Sequence, residues 1–251
     1  MHDTDRGLIL DLERMSLAAL PDLEHVTRKG WRWRAASGVT NRANSLTQVA
    51  LDAAPIDETL DHFAALTRER GLRAAVRVTP IAPAGTGALL VARGFTERDG
   101  ALCMLGDPAR FAAGTARVHL EPVSDPVWRG AYARAAGRFD EREQSVLAEI
   151  HGLIDKPKRF ARIEADGAVI AHGYGVVDGD WLSLQEIGVA PERRREGLAR
   201  EICGALAAWG IGEGATRCWL QVRPPNTAAR TLYATLGFTE SYRVTYLAAP
   251  D

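Results

Sequence analysis

The run WLSLQEIGVAPERRREGLAREICGALAAW, Trp181 to Trp209, changes its periodicity once, and the change falls on three arginines. Leu182, Leu184, Ile187 and Val189 suit a half-buried strand, and Pro191, with no N–H to donate, ends the ladder. From Gly197 onward Leu198, Ile202, Leu206 and Trp209 recur at helical spacing. The stretch therefore reads as strand, tight turn, helix. In the turn Arg194, Gly197 and Ala199 stand at the spacing R-x-x-G-x-A. Little or no side chain at Gly197 and Ala199 lets a ligand approach the backbone, and the first N–H groups of the helix lack intrahelical partners. Those donors, with roughly half a positive charge from the helix dipole, favour an anion such as a pyrophosphate. Arg193, Arg194, Arg195 and Arg200 add charge nearby. Three arginines in a row also suit a plain solvated turn, and a second element separates the two readings.

That element is Val222 to Phe238, VRPPNTAARTLYATLGF, which follows an apolar strand from Cys218 to Val222. VAPERRREGLA followed by NTAARTLYATLGF resembles the acetyl-CoA signature of the GNAT superfamily of N-acetyltransferases. In that family Q/R-x-x-G-x-G/A binds the pyrophosphate, and N-x-x-A-x-x-L-Y-x-x-x-G-F forms the next helix, beside the pantetheine arm. The resemblance implies that Arg194, Gly197 and Ala199 form the pyrophosphate loop, with backbone amides from Arg195 through Leu198 to Ala199 as donors. It implies that Asn226 lies near the pantetheine and that Tyr233 protonates the departing thiolate. Ala199 stands where many members have glycine, a substitution that the family pattern allows.

With 251 residues, 46% hydrophobic and 25% charged, the chain can bury one large core or two modest ones. A net charge of −1 argues against a protein that grips nucleic acid. The three cysteines, Cys103, Cys203 and Cys218, lie far apart and fit neither a metal site nor a disulfide framework, as expected in a reducing compartment. The N-terminal apolar run is too short for a signal peptide, and no uninterrupted span is long enough for a bilayer. The expectation is a cytoplasmic protein with no membrane partner and no metal.

In chain order, Asp11 to Leu20 reads as a short helix ended by Pro21. Trp31, Trp33 and the Ser45 to Leu51 run read as strands. Arg32, Arg34, Arg42 and Asn44 read either as a binding surface or, preferably, as the wet face of a strand. Pro55 to Arg70 is a well-marked helix with acids in its first turn and bases in its last. Then an internal echo appears: LLVARGFTER lines up with LYATLGFTES, so that Gly94 and Phe95 match Gly237 and Phe238. Leu90 stands in the place of Tyr233 and Pro83 in that of Asn226, and no glycine-bearing anion loop lies between Thr47 and Pro55. The N-terminal half thus looks like a degenerate GNAT domain without a cofactor site. Its GWRWRAASGVTNRANSL segment resembles the first half of a bacterial two-domain acetyltransferase family that includes a mycobacterial histone-acetyltransferase-like group.

The expected fold is α/β (α+β): a tandem GNAT fold, each half a mixed, mainly antiparallel sheet flanked by helices. The expected division is 1–106 for the degenerate half, 107–117 for a linker and 118–251 for the catalytic half. In the latter, Val118 to Val123 is its first strand, and Asp125 to Ala136 and Asp140 to Ile154 are its first helices. Phe160 to Glu164 and Ala168 to Val177 form a hairpin around Asp166-Gly167. Helices at this point in the family wall the acceptor pocket, which makes Trp128, Tyr132, Arg138 and Phe139 candidates for substrate contact, with packing as the competing role. His172 reads as a structural strand histidine. Gly188 reads as a bulge that splays the central strand and opens room for the thioester.

The resemblance implies direct transfer of acetyl from acetyl-CoA to an amine of a small molecule or a protein lysine or N-terminus. The amine must lose a proton, and Glu186 is the first candidate for the base, with Glu164 second. Glu186 reads equally as an amine anchor or a solvent-facing residue. Backbone N–H groups around Ile187 to Val189 are placed to hold the pantetheine and polarise the carbonyl. Two other readings stand beside this one: an acyl-CoA-binding sensor or scaffold without turnover, and an acetyltransferase of specialised thiol biosynthesis resembling mycothiol synthase. The N-terminal half is left with two roles, shaping the acceptor pocket or forming a homodimer.

Overall fold

The structure, a computed structural model, describes residues 3–137 and 140–250. It falls into two compact units, one of residues up to Leu102 with those from Tyr242 onward, the other from Cys103 to Ser241. The sequence reading had left the C-terminal strand with the second half. The pairing of its end explains the difference: Thr245 to Ala248 lie antiparallel to Val78 to Ala75.

The first unit opens with α1 (Asp3–Ala19), which is longer than the helix expected from Asp11. Then follow β1 (Glu24–Arg28), β2 (Trp31–Ala35), β3 (Leu46–Gln48), α2 (Asp57–Glu69), β4 (Ala75–Val78) and α3 (Thr86–Ala92). Lys29 and Gly30 both take positive φ, 50° and 79°, the tight turn that matches the twist of two antiparallel strands. β3 and β4 run parallel, and α2 presents Leu60 and Phe63 to a core with Trp31, Trp33, Leu46, Val76, Leu90 and Leu247.

The basic strand β2 does not have a wet face. Arg34 is 1% exposed and donates to Asp22, to the Leu20 carbonyl and to the Arg42 carbonyl, while Arg32 also reaches Asp22. Burial alone would raise the Asp22 carboxyl, but Arg34 and then Arg32 overcome it and hold the group below its ordinary range. Asn44 accepts from the Ala36 and Gly38 amides at 2.7 and 2.9 Å. Arg34 is thus interior scaffolding, and half-buried Arg32 and Asn44 are tied to the same network, so the expected solvent face is corrected.

β5 (Thr96–Gly106) leads out of the first unit. The second unit holds β6 (Val118–Glu121), α4 (Pro126–Ala136), α5 (Glu141–Gly152), β7 (Lys158–Ala165), β8 (Ala168–Asp178), β9 (Trp181–Val189), α6 (Leu198–Gly212), β10 (Arg217–Val222) and α7 (Thr227–Thr235). β11 (Thr239–Ala248) returns the chain to the first unit. The strands β6 to β10 lie side by side, antiparallel except for the parallel β9–β10 pair. Asp125 caps α4, and Asp140 with Glu143 forms a reciprocal capping box on α5. Asp166 and Gly167 both take positive φ, as the predicted hairpin requires. The segment 107–117, expected as a linker, packs on α6, where the Ala113 amide donates to the Gly204 carbonyl, and its Phe111 ring lies 5.4 Å from Phe238, just past α7.

Among the described residues no helix is long and apolar enough to cross a membrane. Among them, too, no group of three His, Cys, Asp or Glu is placed to hold a metal ion.

Candidate active site

The site starts where β9 leaves its neighbours. Its parallel ladder with β10 runs from Trp181↔Arg217 to Leu184↔Leu220 and goes no further among the described residues, although both strands continue. On the other side, β8 pairs Gly175 with Leu184 and Tyr174 with Gln185, then His172 with Gly188. Glu186 and Ile187 together therefore oppose Gly173, a bulge of one extra residue, and Glu186 takes a φ of 49°. The backbone from Glu186 to Ala190 is half-buried, in contrast to the buried Trp181 to Gln185.

The bulge is not at Gly188, as expected, but two residues earlier. Nor does Gly188 open free space: a Cβ there would lie 2.5 Å from Cε1 and Nε2 of His172, whose ring fills the place. The glycine that makes the bulge fit is Gly173, where a Cβ would meet Ile187 Cδ1 at 2.4 Å. The sequence reading passed over Gly173; its signal was a glycine inside an otherwise apolar strand.

After β9 the chain makes a short turn, Pro191–Arg193, and enters α6 through Gly197 at φ 81°. This left-handed position favours glycine, and nothing lies within 4 Å of where its Cβ would point. Arg193 is bound by both nitrogens of its fork to Glu196, at 2.8 and 3.0 Å, and lies 3.7 Å from Asp166. Hydrogen bonding to Arg193, the largest cause, keeps the Glu196 carboxyl below its ordinary range and so ionised. Arg194 and Arg195 are exposed and make no ion pair among the described residues. Arg200, on the first turn of α6, donates to Thr235 Oγ1 at 2.7 Å and ties α6 to α7. Leu198 is buried and Ala199 half-buried, so their side chains anchor the helix start.

Tyr233 lies on α7, 7% exposed, its ring 5.9 Å from Phe238. Burial pushes its hydroxyl well above the ordinary tyrosine range, and Cys203, Glu186 and Cys218 push it further in the same direction. Burial likewise pushes the Cys203 thiol up to about 12, so it stays protonated. Asn226 caps α7: its Oδ1 accepts from the Ala229 amide at 3.1 Å.

Several expected contacts lie elsewhere. Glu164 is exposed on β7 with its carboxylate held by Arg162 at 2.6 Å. Trp128 is 1% exposed and donates to the Ala161 and Gly173 carbonyls at 3.0 and 3.2 Å, and Tyr132 packs tilted against it at 5.7 Å. Both are packing residues of the α4 face. Arg138 and Phe139 lie outside the described residues.

Residues 7–247 match the family described as "Probable histone acetyltransferase Rv0428c C-terminal". The chain belongs to this family of GNAT-type acetyltransferases. An uncharacterized N-acetyltransferase, YobR, of Bacillus subtilis (strain 168) is 29% identical over 243 residues, 92% of this chain and 94% of that protein. A GCN5-related N-acetyltransferase from Kribbella flavida shares the fold with a TM-score of 0.69 at 15% identity, covering 98% of this chain and 96% of the other. A tandem GNAT protein from the clavulanic acid biosynthesis pathway does so with a TM-score of 0.63 at 13% identity, covering 99% and 96%. The protein is therefore an acyltransferase, and acetyl-CoA is the acyl donor that GNAT acetyltransferases use.

For a GNAT acetyltransferase the Arg194 to Ala199 turn fits that donor in three respects. Nothing lies within 4 Å of where a Gly197 side chain would point, Arg194 and Arg195 are exposed and make no ion pair among the described residues, and no side chain caps the first N–H groups of α6.

Proposed function

We propose that the Cys103–Ser241 unit transfers the acetyl group of acetyl-CoA directly to an amine, small molecule or protein. The observation that carries this reading is the parting of β9 from β10 after Leu184, at the end of β9 that leads into the arginine-flanked turn. The pyrophosphate sits on the amides from Arg195 to Ala199 with Arg194 and Arg195 alongside. The pantetheine arm lies along the unladdered edge of β9, where the Ile187 and Val189 backbone holds it and the thioester carbonyl is polarised. The amine nitrogen attacks that carbonyl, forming the C–N bond as the C–S bond breaks. Glu186 takes the ammonium proton, directly or through one water, and Tyr233 gives its proton to the departing thiolate. Burial keeps the Tyr233 hydroxyl protonated, so it carries the proton and the hydrogen bond that a nearby thiolate needs as it forms. Asn226 acts mainly by fixing the start of α7, and so the position of Tyr233.

Thiol release from acetyl-CoA with a panel of amines tests the reaction. Wild type is expected to release one thiol per amide formed. Tyr233→Phe is expected to lose about 100- to 10,000-fold in kcat with little change in the KM for acetyl-CoA, the range of a lost general acid. A Tyr233→Phe enzyme with unchanged kcat would remove the residue from the mechanism.

A further inference from the structure

Gln221 is the first residue of β10 beyond the last rung of its ladder with β9, Leu184↔Leu220. It stands two residues on from Trp219, whose partner is Ser183, and Ser183 in turn pairs with Val176 on β8. Partners across a ladder share a face, and so do residues two apart along a strand. Gln221 therefore shares the face on which Tyr174 stacks on Phe160 and Trp128 of α4 meets both rings edge-on. The opposite face, of Leu182 and Cys218, lies against α6, where a Cβ at Gly210 would meet Leu182 at 3.0 Å. Gln221 thus sits at the mouth of the parting, on the side away from α6. Its side chain is half-buried, and its Nε2 is buried without a hydrogen-bond partner among the described residues. A buried amide donor left unmade is costly, and an apolar side chain of the same length would fill the place without that cost.

The first unit shows the same strand position serving the fold alone. RAAVRVTP, Arg73–Pro80, lines up with RCWLQVRP, Arg217–Pro224, so that Arg77 of β4 stands where Gln221 does. β4 too belongs to a parallel pair, with Thr47 of β3 opposite Arg77. Arg77 is 2% exposed and spends its guanidinium inside the unit: Nη2 donates to Glu13 Oε1 at 2.8 Å, and Nη1 donates to the Tyr246 hydroxyl. The unit that lacks the glycine-bearing turn satisfies this position internally. The unit that has the turn leaves it unspent.

We propose that Gln221 is a specificity residue of acyl transfer: its side-chain amide pairs with a carboxamide or peptide unit next to the reacting amine, giving one hydrogen bond and accepting another. This rests on the reading of the Cys103–Ser241 unit as an acetyltransferase whose donor enters by the α6 turn, which leaves the opposite face to the amine. A neutral amide with both a donor and an acceptor to offer suits a second amide. A carboxylate or phosphate would call for a cation, and an alkyl chain for neither group. The acceptor class that follows is the α-amine of an amino-acid amide or peptide.

Glycinamide and propylamine, matched in length, test the pairing with acetyl-CoA as donor. Wild type is expected to prefer glycinamide in kcat/KM. Gln221→Met keeps the length of the side chain and offers no amide. It is expected to lower kcat/KM for glycinamide about tenfold or more, with propylamine and the KM for acetyl-CoA each within about twofold of wild type. Equal losses on both amines, no loss on glycinamide, or a wild type that takes propylamine as readily would overturn the proposal while leaving acetyl transfer intact. A wild type inactive towards every amine would overturn acetyl transfer and the proposal with it. Urea denaturation reads the unspent amide without substrate: the midpoint of Gln221→Met is expected at or above that of wild type. A lower midpoint would show that the amide is spent inside the protein and would contradict the proposal.

Discussion

Gly188 and His172 are coupled by volume, because the ring occupies the place of the missing side chain. Gly188→Ala is expected to destabilise the protein by about 1–3 kcal/mol, the usual penalty for overpacking a site whose neighbours cannot give way. In a His172→Ala background the same change should cost almost nothing, so urea denaturation of the four proteins yields a coupling energy above about 1 kcal/mol. Independent effects would mean that the ring moves freely. His172 also dictates a pH dependence. Its folded pKa is lowered to about 4 from the ordinary 6.5, so between these values the unfolded chain binds a proton that the native one refuses. Stability is therefore full above about pH 6.5 and is lost as the pH falls towards 4, by roughly 3 kcal/mol at most. His172→Phe should flatten that part of the stability–pH curve; an unaltered slope would place the lost stability in other groups. The sequence singled out Gly197 and Tyr233 as candidates through spaced patterns, and Glu186 through its place on the central strand before Gly188. It did not show Gly173 or the pairing of His172 with Gly188, because those depend on a strand register that is set two residues away by the bulge.

At the scale of elements, α7 carries Tyr233 and begins at the Asn226 cap. Asn226→Ala is expected to cost about 1 kcal/mol and to lower turnover together with it, since a frayed first turn loosens the helix under Tyr233. Asn226→Asp should retain the cap and most of both, and an Asn226→Ala enzyme with wild-type stability would show that the cap carries nothing. The helices and the β7–β8 hairpin were legible in the sequence because caps and turn pairs are local: Asp125, the Asp140 box and Asp166-Gly167 all act within four residues. The segment 107–117 read as a linker because its order comes from residues far along the chain, from Gly204 on α6 to Ala113 and from Phe238 to Phe111. The arginines of β2 misled for a similar reason. Alternation suggests a wet face, whereas Asp22 neutralises Arg34 in the interior.

For the whole molecule, the internal echo survives as a shared helix ending. Phe95 donates to the Leu90 carbonyl, and Phe238 donates to the Tyr233 carbonyl, each at 3.0 Å across a glycine with φ of 85° and 90°. This bond closes the helix and delivers the next strand in both units, while only the second unit keeps tyrosine at the bonded position. The fold class was readable from that repetition. The return of residues from Tyr242 onward to the first unit was not, because pairing of Thr245–Ala248 with β4 spans most of the chain. A chain built this way should hold one acetyl-CoA, on the turn before α6. Titration calorimetry with acetyl-CoA on wild type, Gly197→Ala and Gly197→Glu tests this most directly, since Ala imposes the same left-handed strain as Glu without its charge. The account requires a stoichiometry of one for wild type, binding within about tenfold for the alanine variant, and none for the glutamate variant. Equal binding by all three proteins, or two molecules per chain, would contradict it.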